Sequence, residues 1–390
     1  MSSPARTIAF VNAAHALVHY LMLIYPTAVL AVAAETGLAY DRLIPLATGG
    51  LIAYGVLSLP VGWVADRLGP RRLLAAFFIG SGLASAAVAT AQGPAGLAAA
   101  LLALGAACAI YHPVGLSMLA ATSRRLGRDL GLNGVCGNLG ASGAAALTAL
   151  AAATLGWRAA FLLPGLAAIA CGLVYLATTS DAPAGRADGA APAEAEPVAR
   201  PGLALAAAVL AILAGGITYS LVTIALPKII DERAGADLTL AWTGTLATAV
   251  LVCGAAMQLV VGTLIDRVAL PTLLVLLAAS QMTGLLIAAL FTGPLLLLGL
   301  ALTMAAIYGE VVVDDALVAR FVPAALRSKA YGVSYFLGFT TAGVAAPLIG
   351  LTHAGGGFGP LLALTAACGT ALFLAAIGFR LAVGRRDVAA

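Results

Sequence analysis

Apolar runs long enough to cross a bilayer follow one another along the whole chain, separated by short polar turns that hold most of its charge. A helix rises about 1.5 Å per residue, so roughly 20 apolar residues span the hydrocarbon of a membrane. The pattern predicts twelve such helices, over residues 7–33, 44–65, 71–92, 94–121, 130–154, 157–178, 201–228, 240–265, 270–292, 294–320, 328–351 and 357–381. One long polar stretch interrupts it, Thr179 to Arg200, rich in Ala, Pro, Gly and acidic residues. That stretch has too little apolar surface to fold alone and reads as a linker. The expected organisation is a six-helix bundle over 1–178, a cytoplasmic linker over 179–200 and a second six-helix bundle over 201–390.

Composition sharpens this picture. With 62% hydrophobic and 9% charged residues, there is too little polar side chain to coat a soluble globule of this size, so the soluble classes are excluded. The short polar start, Met1 to Arg6, runs into apolar sequence without a small-residue cleavage pattern, and the first span is expected to be retained. Cys108, Cys136, Cys171, Cys253 and Cys368 lie in apolar stretches with no CxxC pair, and read as small buried hydrophobes. The net charge of +4 is spread over loops, which argues against a nucleic-acid surface.

Basic residues gather in cytoplasmic loops. With the amino terminus inside, all of the 20 Lys and Arg except Arg42, Arg158, Lys228 and Arg233 fall on the inner side. The asymmetry predicts an even number of spans and both termini in the cytoplasm, in an inner (plasma) membrane of bacterial type.

The two halves echo each other. Gly62-Trp-Val-Ala-Asp66-Arg67 recurs as Gly262-Thr-Leu-Ile-Asp266-Arg267, Tyr25-Pro26 as Leu226-Pro227, and Ala109-Ile110-Tyr111 as Ala306-Ile307-Tyr308. Three matches at nearly one offset indicate an internal duplication.

Gly62-Trp-Val-Ala-Asp66-Arg67-Leu-Gly69-Pro70-Arg71-Arg72 resembles the signature loop between the second and third helices of major facilitator transporters. The resemblance implies an all-α membrane fold of twelve helices in two pseudo-symmetric bundles and transport by alternating access. It also implies a monomer without cofactor, and a latch formed by Asp66, Arg67, Arg71 and Arg72, with Gly62 allowing close helix approach. Asp266 and Arg267 are the matching pair in the second half. A finer resemblance lies in Ile24-Tyr25-Pro26, Tyr111-His112-Pro113, Arg124-Arg125, Asn133 and Gly137-Asn138-Leu-Gly140-Ala-Ser-Gly143. These look like the fosmidomycin-resistance branch, whose members export drugs in exchange for protons. The chain departs from that branch at Val114, where the branch tends to be acidic, and at Ala14-His15, where it tends to carry Asn-Asp.

Ionisable side chains inside a membrane are costly, so each is a functional candidate. His15 and His19 lie four residues apart on one face of the first span, beside Tyr20, and Tyr111 and His112 lie on the fourth. Glu310, Asp314 and Asp315 lie on the tenth. By resemblance, the first, fourth, seventh and tenth spans line the central cavity, and depth along each places His15, His112 and Glu310 at similar heights. Imidazole titrates near neutrality. Glu310, Asp314 and His112 are therefore the expected proton-coupling groups, and His15, His19, Tyr20, Tyr111, His112, Tyr219, Tyr308, Glu310, Asp315 and Tyr335 the expected substrate contacts. Asp314 and Asp315 alternatively lock onto Arg320 or Arg124. Asn133 and Asn138 read as packing hydrogen bonds, and His353 as solvated.

The glycine series Gly131, Gly134, Gly137, Gly140 and Gly143 forms a smooth stripe suited to close helix crossing. It lacks the Lys-Ser or Lys-Thr of a phosphate loop, so ATP-driven transport has no support. The function expected is secondary transport of a small organic solute or drug, coupled to protons, with export favoured. Two alternatives stay open. His15, His19, His112 and Glu310 offer ligands for a divalent metal or a metal chelate as cargo. His15-Ala-Leu-Val-His19 has the His spacing of a metalloprotease helix but lacks its glutamate, which leaves an intramembrane metalloenzyme a distant reading.

Overall fold

In the computed structural model of the chain, residues 4–123, 125–180, 196–235 and 237–384 are described, without the side chains at 66, 126, 127, 324, 325, 327–329, 331, 332, 334, 335 and 339. Most of the expected linker therefore lies outside the described residues. The helices, in chain order, are α1 (Pro4–Thr36), α2 (Tyr40–Leu43), α3 (Thr48–Leu68), α4 (Pro70–Thr90), α5 (Gly93–Cys108), α6 (Tyr111–Thr122), α7 (Leu126–Leu155), α8 (Trp157–Thr178), α9 (Pro201–Arg233), α10 (Leu240–Leu264), α11 (Leu270–Leu290), α12 (Gly293–Phe321), α13 (Ala324–Gly356) and α14 (Phe358–Val383).

Twelve stretches among the described residues are long and apolar enough to cross a membrane. Two of them are not single helices. The second runs through α2, a 3-10 turn at Ile44–Ala47 and most of α3, with Pro45 in the turn. The fourth, Gly93–Thr122, breaks between α5 and α6 at Ala109 and Ile110. Pro113 accounts for that break: it has no N–H for the carbonyl four residues earlier, that of Ala109, and its ring crowds the same carbonyl.

The chain forms two compact units, Met1–Gly189 with Leu238–Thr248, and Ala190–Asp237 with Ala249–Ala390. In the first, α1 packs on α7, α4 on α8 and α3 on α5. In the second, α9 packs on α13 and α14, and α11 on α12 and α14. Several crossings are so close that only glycine fits. A Cβ at Gly105 would strike the backbone of Gly50, and one at Gly299 would lie 2.6 Å from the carbonyl of Gly284. Small residues at such crossings let dispersion and backbone contact hold helices together where lipid supplies no hydrophobic drive.

The duplication is visible in the turns. Gly93 and Gly293, at φ +65° and +63°, open the fourth and tenth spans, and Gly156 and Gly357, at φ +88° and +67°, precede α8 and α14. Large apolar side chains such as Leu139, Leu155, Leu290 and Leu351 stand exposed on the helices. In water such surface would drive association; on spanning helices it is the surface that lipid covers.

Candidate functional site

In the first unit the polar centre is built from α1, α6 and α7. Asn12, His15 and His19 share one stripe of α1, because positions three, four and seven apart fall on one face. The side-chain amide of Asn133 on α7, buried, donates to Asn12 Oδ1 at 2.9 Å, and the Tyr111 hydroxyl donates to Asn133 Oδ1 at 3.2 Å. His15 Nδ1 lies 2.7 Å from the carbonyl oxygen of Asn133. A carbonyl only accepts, so Nδ1 carries the hydrogen, and in the neutral ring Nε2 keeps its lone pair. His19 Nε2 is 3.1 Å from that atom.

The helix break set by Pro113 brings the start of α6 to the same place. The Tyr111 ring stacks on His15 with centroids 5.0 Å apart, and the His112 ring stands 5.4 Å from both His15 and His19. Tyr54 of α3 is 6.1 Å from His112. Room for the His15 ring exists because α7 carries Gly137 opposite it: a Cβ there would lie 2.7 Å from the imidazole. One nitrogen from each of His15, His19 and His112 falls within 4.8 Å of the others. Three imidazoles so placed can relay a proton or hold a metal ion.

In the second unit the centre lies on α12. Glu310 is 6% exposed, and among the described residues its Oε1 has no hydrogen-bond partner. Its other oxygen faces Gly215 of α9, where a Cβ would stand 3.7 Å away. Asp314, one turn on, and Asp315 are half-buried. Tyr308 is buried against Gly254, its ring 6.3 Å from that of Tyr219. Arg320 lies 3.5 Å from Glu196. The Tyr335 side chain and Arg124 lie outside the described residues, and Tyr20 is half-buried on α1.

The profile of the family described as Major Facilitator Superfamily matches residues 8–347. The chain belongs to the major facilitator superfamily. It is therefore a transporter and not an enzyme, a multi-pass membrane protein of twelve spans. Solved structures with this fold include a bacterial homolog of the human lysosomal transporter Spinster in an inward-facing, occupied conformation (14% identity, 98% of this chain and 96% of that chain covered, TM-score 0.73). They also include the inward open xylose transporter XylE from E. coli (13%, 96% and 96%, 0.76) and a D-xylose-proton symporter (14%, 96% and 97%, 0.74). A comparison with curated proteins finds no match.

The signature loop of this major facilitator is a turn between two helices. Gly69, at φ +84°, ends α3 and admits Pro70 as the first residue of α4. Arg71 donates to the Leu176 carbonyl at 2.8 Å and to Thr179 Oγ1 at 3.3 Å, and Arg6 donates to the Thr178 carbonyl at 2.9 Å. Both arginines thus satisfy the last carbonyls of α8, where cations are favoured. Arg67, Arg72, Asp266 and Arg267 are exposed, and the Asp66 side chain lies outside the described residues. A Cβ at Gly62 would meet nothing within 4 Å among the described residues.

Two readings sharpen. His353 is partly exposed and has a partner besides solvent: its Nε2 lies 2.9 Å from Glu232, which also pairs with Lys228 at 3.3 Å. Of the glycine series, Gly137 and Gly140 face α1 closely, whereas Gly131 and Gly134 meet nothing within 4 Å, because a step of three drifts round a helix of 3.6 residues per turn. Asn12 and Gln281 join the candidates. Gln281 is fully buried on α11, and among the described residues neither amide atom has a partner. The signal was present: an amide within an apolar span needs a partner almost as much as a charge does.

Proposed function

We propose that this major facilitator moves a small organic solute or drug by alternating access in exchange for protons, with export favoured, as in the fosmidomycin-resistance branch that its first half resembles. The observation that carries the reading is Glu310: a carboxylate in mid-span, buried, with an oxygen that no described residue satisfies. A carboxylate held in that setting gains most by taking up a proton, and moving the group between a dry and a wet environment is the simplest way to load and release one. Asp314 and His112 are the partners proposed for this transfer. The D-xylose-proton symporter among the similar structures supports proton coupling within this fold.

In this reading His15, His19, Tyr20, Tyr111, Tyr219, Tyr308, Asp315 and Tyr335 contact the solute, aromatic faces supplying area and the polar atoms orientation. Asp66, Arg67, Arg71, Arg72, Asp266 and Arg267 gate the cytoplasmic side. The protein works as a monomer in an inner membrane with both termini in the cytoplasm, its bundles at 1–178 and 201–390 joined by the linker at 179–200.

The test begins with a thermal-shift screen of the purified protein for a solute that stabilises it. The protein is then reconstituted into liposomes under an imposed pH gradient. Glu310→Gln is expected to lower gradient-driven transport by about 100-fold or more while solute still stabilises the fold. Undiminished gradient-driven transport by that variant sinks the reading.

A further inference from the structure

We propose that His15, His19 and His112 form a binding site for a first-row divalent transition metal, with Zn2+ the natural probe. The three rings make a nearly regular triangle, their centroids 4.9, 5.4 and 5.4 Å apart, and one nitrogen of each lies within 4.8 Å of the other two. A tetrahedral Zn2+ with Zn–N bonds of about 2.0–2.1 Å sets its nitrogens roughly 3.3 Å apart. The His15 and His19 Nε2 atoms already stand at 3.1 Å. The His112 nitrogen, within 4.8 Å of both, has to move nearer to complete the set.

His15 is prepared as a ligand. Its Nδ1–H is held by the Asn133 carbonyl at 2.7 Å, which fixes the tautomer with a bare Nε2 and sets the ring plane. Metal-bound histidines are oriented in this way, by a hydrogen bond from the nitrogen that does not touch the metal. The ring is further confined by Tyr111 stacked on one side and Gly137 on α7. Asn133 is itself tied to Asn12 and Tyr111, so the support reaches three helices. Two of the ligands come from one helix at a spacing of four and the third from another, so the site exists only when α1 and α6 are packed.

The donor set selects the cation. Three neutral imidazoles suit Zn2+, Co2+, Ni2+ and Cu2+, whereas Mg2+ and Ca2+ require oxygen ligands. Neutral ligands leave both charges on the ion, so the open fourth position takes an anion, either hydroxide or a carboxylate. The site shares His112 with the proton transfer proposed above, and His15 and His19 with the solute contacts; the exchange assay tests Glu310 without metal, so the two readings fail separately.

The experiment is calorimetric titration of the purified, tag-free full chain in detergent with Zn2+, and with Mg2+ as a control. One Zn2+ per chain and no Mg2+ are expected. His19→Gln and His112→Gln each weaken Zn2+ at least about tenfold, and Gly137→Ala, which removes no ligand but displaces the His15 ring, weakens it about as much as a lost supporting contact does. Absence of stoichiometric Zn2+ binding to the wild type, or unchanged affinity in a monodisperse triple variant of the three histidines, overturns the site. Co2+ bound to the wild type supplies a readout that needs no variant. Intense visible d–d absorption supports a tetrahedral site, and the weak spectrum of six-coordinate Co2+ overturns it.

Discussion

The same crossing occurs once in each unit, and the two versions are made differently. In the first, α7 meets α1 with Gly140 against the backbone of Ala16; in the second, α13 meets α9 with Thr341 against Gly216, whose Cβ would lie 3.1 Å from the threonine Oγ1. The small residue has changed helix. The polar lining changed with it: the first crossing holds His15 and Asn133, and among the described residues the second holds a hydroxyl pair, Ser220 and Thr341, at 3.2 Å. The fourth and tenth spans diverge likewise, since Tyr111-His112-Pro113 occupies a broken helix where Tyr308-Gly309-Glu310 runs through an unbroken one. Duplication thus repeats the geometry of the crossings, while each copy is free to choose which residue makes room and which chemistry fills it.

Substitutions at these crossings test that comparison. The largest effect is expected for Gly140→Ala, whose added methyl meets main chain that has nowhere to move. About 3 kcal/mol of stability should be lost, measured as a fall in the midpoint of thermal unfolding in detergent. Asn133→Ala comes next. It leaves the Asn12 side chain and the Tyr111 hydroxyl without their shared partner, at a cost of about 1–2 kcal/mol by the same measurement. Gly216→Ala should be the mildest, within about 1 kcal/mol of wild type, because its neighbour is a side chain that can turn and alanine favours the helix. Equal losses at Gly140 and Gly216 would show that the two crossings are alike after all.

Much of the fold was legible in the apolar runs. The twelve spans follow from length and hydropathy, and the duplication from the paired motifs, because a bilayer requires every spanning backbone group to bond within its own helix. Even the break in the fourth span is local, since Pro113 has no hydrogen to give Ala109. The site was legible by residue type. His15, His19, His112 and Glu310 stand out as ionisable groups where hydrocarbon penalises charge.

Other features depended on the third dimension. Which glycines are in contact was set by the face of α7 that meets α1, and a spacing of three residues could not say that Gly137 and Gly140 are enclosed while Gly131 and Gly134 are open. Arg71 drew its partners from α8, over a hundred residues away, and His353 drew Glu232 from α9. The sequence by itself determined that the chain lives in a membrane, how many times it crosses and which side chains are costly in hydrocarbon, because those follow from transfer free energies of local segments. Only the tertiary structure decided which of those side chains meet, because hydrogen bonds and ring contacts act over a few ångströms and are set by how helices distant in sequence cross.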